Sequence, residues 1–99
     1  MEKELQKALA RRVRALREAS PLSQEAMAAE AGLDRTYYAR LERGEANPTW
    51  VALARIAAAL GVHPSVLLDG VEFDAEAVRA MPRRRVMARA RVGPAAAVD

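Results

Sequence analysis

Three times along this chain a side chain suited to starting a helix stands a short way ahead of a glycine: Ser23 before Gly32, Asp34 before Gly44, and Thr49 before Gly61. Ser, Asp and Thr accept a hydrogen bond from the free N–H groups of a helix's first turn. Glycine adopts the left-handed conformation that closes the last turn. The chain is therefore cut into short helices in tight succession, and only about three residues separate the second from the third. No stretch alternates apolar and polar residues as a half-buried strand does, and neither an internal repeat nor a heptad run is present. The expected class is all-α.

Apolar spacing gives each helix a face. Leu5, Leu9, Val13 and Leu16 recur at steps of four, four and three, with Arg11, Arg12, Arg14 and Arg17 spread around the other sides. That first helix ends near Ser20 and Pro21. Helix two runs through Met27 and Ala31, and helix three turns Tyr38 and Leu41 inward. Residues 45–49 form a loop, since Pro48 disfavours helix at Asn47. Leu53, Ile56, Ala57 and Leu60 make the stripe of helix four. His63 and Pro64 start a short fifth helix. Its Val66, Leu67 and Leu68 carry more apolar surface than one small turn hides, so part is expected on the core and part on another subunit. Asp69 and Gly70 close a unit over residues 1–70. Residues 71–99 form an extension, with a short helix over 74–81 capped by Asp74 and stopped by Pro82, then an arginine-rich stretch and an end expected to be disordered.

With 99 residues the chain suits one domain with a modest core. It has no cysteine, which rules out disulfides and thiolate metal sites and suits a reducing cytoplasm. Its charged start lacks an apolar stretch behind it, so a soluble protein, unprocessed at its start and without a membrane span, is expected. The net charge of +3 is a small excess, compatible with an anionic partner or with a solvated surface. Distribution says more, because fourteen of the sixteen basic residues are arginine and residues 79–91 hold six of them with no acid between. Arginine's planar fork matches phosphate and the guanine edge, although a GC-rich genome also yields arginine and alanine. His63 is the single histidine and cannot anchor an ordinary zinc site. No Ser, His and carboxylate trio and no glycine-rich phosphate loop stand out, so neither an enzyme nor a cofactor is expected.

A helix, a glycine turn and a second helix at residues 23–44 is the geometry that lays one helix in the major groove while the other crosses the backbone. Many helical hairpins share it, and the particular residues add the weight. Leu22-Ser23-Gln24-Glu25, Ala28, Ala31-Gly32-Leu33, Asp34-Arg35-Thr36-Tyr37, Leu41-Glu42-Arg43-Gly44, Asn47-Pro48-Thr49, Ile56-Ala57 and Leu60-Gly61-Val62 resemble the Cro and repressor, or XRE, family. The resemblance runs from about Ala8 to Leu68 and implies a five-helix, lambda-repressor-like DNA-binding domain. It also implies a symmetric dimer on a palindromic operator of double-stranded DNA, with the third helix reading bases. The segments 33–37 and 41–44 look like those of restriction-modification controller proteins.

Arg35 and Thr36 fall in the first turn of helix three, where arginine bonds guanine O6 and N7 together and a threonine methyl meets that of thymine. Tyr37 and Arg40 share that face and reach flanking bases or phosphates. The resemblance makes Gln24 a phosphate contact at a helix N-terminus. Ser23 is either a cap or a second such contact; Arg43 and Asn47 touch the backbone or only stabilise the loop. Arg17 and Glu42 resemble a family ion pair, either partly buried or solvated. Tyr38 stands where an aliphatic residue is commoner and is expected in the core with its hydroxyl at the rim. Trp50 is a packing residue or, with Val66 and Leu67, a dimer contact.

In the basic tail, Arg83, Arg84, Arg85, Arg89 and Arg91 would follow the DNA backbone, stay solvated, or be ordered by a partner protein. The expected function is a cytoplasmic, sequence-specific transcription regulator acting as a homodimer, a repressor by promoter occupancy. Its rival is an antitoxin-type interaction module that holds a partner protein through residues 71–99 and regulates its own operon.

Overall fold

The structure is a computed structural model, and it describes residues 1–82. These form six helices and no strand: α1 (Glu2–Glu18), α2 (Gln24–Ala31), α3 (Arg35–Glu42), α4 (Trp50–Leu60), α5 (Pro64–Leu68) and α6 (Ala75–Arg79). The sixth is the short helix expected after Asp74, whose carboxylate caps it by accepting from Glu76 and Ala77 N–H. The arginines from Arg83 onward, and the disorder expected of the chain's end, lie outside the described residues.

Each expected cap is in place. Ser23 Oγ accepts from Ala26 N–H, Asp34 from Tyr37 N–H and Thr49 Oγ1 from Ala52 N–H, each at 3.0 or 3.1 Å. The helix ends repeat one motif. Past α3, Gly44 N–H bonds Leu41 C=O and Glu45 N–H bonds Arg40 C=O, the crossed pair of a Schellman cap. The same pair closes α4 at Gly61 and Val62.

One core joins the helices, built from Val13 of α1, Met27 of α2, Tyr38 and Leu41 of α3, Ile56 of α4 and Leu67 of α5, all fully buried. α2 packs on α3 and α4, α1 on α3 and α5, and α4 on α5. Arg12 adds a polar tie that spacing alone does not reveal: its Nε and Nη2 both donate to Val66 C=O, at 3.1 and 3.0 Å, fastening α5 across α1.

Two expectations at the outer surface need correction. Leu67, assigned to a dimer contact, is 0% exposed and belongs to this core, because the single turn of α5 aims it at α1 and α4. Its neighbour Leu68 is the exposed one. Trp50 is 66% exposed at the start of α4, beside the exposed Val51, which removes the packing alternative and leaves that of a dimer contact. Val66 is half-buried.

Candidate nucleic-acid interface

α2 and α3 are joined by Gly32, Leu33 and Asp34. Gly32 has φ of 69°, and its N–H and that of Leu33 close α2 on Ala29 and Ala28 C=O. A side chain there would meet strain from the positive φ, and its Cβ, 2.7 Å from Arg55 Nη1, would make that guanidinium shift. Arg55 reaches over from α4 and donates to Ala31 C=O at 3.4 Å, placing a cation at the negative end of α2. The turn is thus held from three sides, and Asp34 starts α3 at once.

The inner side of α3 is locked by Glu42, which is 7% exposed. Arg17 of α1 grips it with two bonds, Nε to Oε2 at 2.6 Å and Nη2 to Oε1 at 3.1 Å. Gln24 Nε2 donates to Oε1 at 3.0 Å, and the Tyr38 hydroxyl donates to Oε2 at 2.5 Å. Burial alone would raise the carboxyl's pKa, but the bonds from Arg17, Gln24 and Tyr38 outweigh it and hold Glu42 below the usual carboxylate range. Burial, and then the bond to Glu42, push the Tyr38 hydroxyl well above the ordinary tyrosine range. The pair of Arg17 and Glu42 is therefore the buried alternative, extended into a four-residue network that ties α1, α2 and α3. Tyr38 departs from expectation in one respect. Its ring is in the core, but its hydroxyl is buried on Glu42, a partner one helical turn away, rather than at the rim.

The outer side of α3 carries the expected readers. Arg35, Thr36 and Arg40 are exposed, while Tyr37 is half-buried and packs against the core, so only part of its ring faces out. Arg35 Nη2 pairs with the Glu25 carboxylate of α2. Arg40 Nη2 donates to Glu45 C=O at 3.0 Å, and Arg43 pairs with the Glu45 side chain at 3.1 Å. The Glu45 carboxyl is lowered by that bond from Arg43. Ser23 acts as the cap of α2, its Oγ accepting from Ala26 N–H, and the residue is exposed. Gln24, beside it, is exposed yet anchored by its amide to Glu42. Asn47 is exposed at the edge of a groove shared with Leu5 and Gln6 of α1.

The sequence assigns no partner to three polar residues that the fold engages: Glu25, Arg12 and Arg55. Their partners lie ten, fifty-four and twenty-four positions away, beyond any helical period. Among the described residues, no group of His, Asp and Glu is placed to hold a metal ion, and no helix is long and apolar enough to cross a membrane.

Residues 8–69 match the family described as a helix-turn-helix domain. The chain belongs to this family of DNA-binding transcriptional regulators. Control protein C.MunI of a Mycoplasma species is 45% identical over 56 residues, which are 57% of this chain and 76% of that protein. Control protein C.BamHI of Bacillus amyloliquefaciens is 46% identical over 50 residues, 50% of this chain and 62% of that one. The restriction-modification controller protein C.AhdI of Aeromonas hydrophila, a crystal structure, superposes with a TM-score of 0.61 at 40% identity, covering 63% of this chain and 94% of that one. The resemblance to the repressor and controller proteins is therefore real at the level of both sequence and fold. The named relatives are regulators.

Proposed function

We propose that the protein is a sequence-specific, cytoplasmic transcription regulator that binds a palindromic operator as a homodimer, with α3 in the major groove. One observation carries this reading: α3 is locked on its inner side by the Glu42 network and presents Arg35, Thr36 and Arg40 on its outer side. Rigid placement of a few long donors is what base readout needs. Arg35 and Thr36 read bases, Tyr37 and Arg40 extend the contact, and Ser23, Gln24, Arg43 and Asn47 take phosphates. Gln24 suits that role better for being held, since its amide is already fixed before DNA arrives. Residues 1–70 form the DNA-binding unit and 71–99 an extension of it.

The dimer reading draws support from the exposed Leu68 and Phe73, at 57% and 69%, which flank a groove of about 370 Å³ lined by Leu5, Leu9 and Pro48. The similarity to control proteins and to an immunity repressor of Bacillus phage phi105, 37% identical over 57 residues, supports occupancy of a promoter as the mode of action. That repressor is longer, the match covering 40% of it.

Selection of bound fragments from random DNA tests the proposal in one step, because it reports half-site, spacing and symmetry. An inverted repeat is expected. On the selected duplex Arg35→Ala should lose about 1 to 3 kcal/mol, with a smaller loss on random DNA. Equal losses on both would remove Arg35 from base reading.

A further inference from the structure

Glu25 is a carboxylate set on the face that meets polyanionic DNA. It stands one residue after Gln24 in the first turn of α2, and its side chain is 63% exposed. A helix N-terminus favours an acid, which accounts for a carboxylate in this turn but not for its partner. That partner is Arg35, the residue argued above to read a base, itself 72% exposed. An ion pair this open contributes little to folding stability.

We propose that Glu25 is a specificity-determining residue, which orients the Arg35 guanidinium toward a base edge and repels phosphate from it. The inference rests on Arg35 being a base reader. A guanidinium carries five N–H donors, and Glu25 engages Nη2, leaving the remaining donors for the two neutral acceptors of guanine. A guanine edge can join this arrangement without displacing the carboxylate. A phosphate cannot, because it brings a second negative charge against Glu25 for the same cation. Non-specific DNA, which offers Arg35 only phosphates in most registers, is thereby penalised while the cognate base is not. Selectivity gained through a repulsive element shows itself as weaker binding to the wrong partner.

The test uses the full chain, the duplex selected by the unaltered protein, and a random duplex of the same length. In Glu25→Gln, binding to the random duplex is expected to tighten, and its dependence on log salt to steepen by about one, the signature of one more phosphate neutralised. The ratio of specific to random affinity is expected to fall about tenfold, within the range one oriented contact provides. In an Arg35→Ala background, Glu25→Gln should have no further effect on that ratio. An unchanged ratio and slope in Glu25→Gln overturns the proposal, as does an effect that persists without Arg35. These results are separable from failure of the parent reading. If Arg35→Ala loses specificity and Glu25→Gln does nothing, only the role of Glu25 falls; if Arg35→Ala loses equally on both duplexes, base reading by Arg35 falls with it. Thermal unfolding of each variant, expected within a few degrees of the unaltered protein, keeps the binding changes from being read as loss of fold.

Discussion

Replacing Arg17 by methionine removes the charged partner of Glu42 while keeping most of the side-chain volume between α1 and α3. Arg17 is 12% and Glu42 2% exposed at the side chain, so water cannot take the place of the guanidinium. Two charge-assisted bonds are lost, and the carboxylate is left with the neutral donors of Gln24 and Tyr38. Breaking a buried pair from one side costs about 3 to 5 kcal/mol, and the two remaining donors place this case at the lower end. For a domain of this size the melting temperature should fall on the order of 15 to 25 °C.

The pH dependence gives a sharper signature. In the unaltered protein Glu42 is held below its ordinary range, so its contribution is present above the unfolded value of about 4.3 and is lost as pH falls through the lower folded value. Without Arg17, burial dominates and raises the folded value. The sign then reverses, and the carboxyl's destabilisation is greatest near neutrality and relieved by acid. Urea unfolding at several pH values from well below about 4 up to about 7 measures both profiles. A loss under about 1 kcal/mol with parallel pH profiles would refute the reasoning, since that is how a solvated pair behaves.

Tyr38→Phe removes one donor from Glu42 and leaves the ring in place, so it should cost about 1 to 2 kcal/mol by urea unfolding. Because the Tyr38 hydroxyl titrates above its ordinary value, its contribution is intact below about pH 10 and lost as pH rises beyond that, a loss the Phe variant should lack. Gly44→Ala must force a side chain into φ of 76° and against Lys7, whose backbone Cα would lie 3.0 Å from the new Cβ. Strain and overpacking together should cost about 2 to 4 kcal/mol, and a change below about 0.5 kcal/mol in thermal unfolding would contradict the close approach of α1 at this glycine.

The division between what sequence and tertiary structure decide follows from the range of the interactions. Helix ends are local: Ser23, Asp34 and Thr49 bond N–H groups three residues on, and Gly32, Gly44 and Gly61 turn the chain where they stand. The apolar stripes are also local in period, which is why the burial of Val13, Tyr38, Leu41 and Ile56 is legible in the residue order. The placement of Arg35 and Thr36 on an outer face follows from the same period. What the sequence by itself leaves open is which of several neighbouring side chains meets the core once helices cross. Leu67 rather than Leu68 is buried because one short turn of α5 offers a single residue to α1 and α4, and Trp50 is exposed because it shares the outer side of α4 with Val51 while Ala52 and Ile56 take the inner side. The polar ties of Arg12 to Val66, Arg55 to Ala31 and Glu25 to Arg35 likewise belong to packing alone. Each joins groups on different helices, and nothing in residue spacing encodes the angle at which those helices cross.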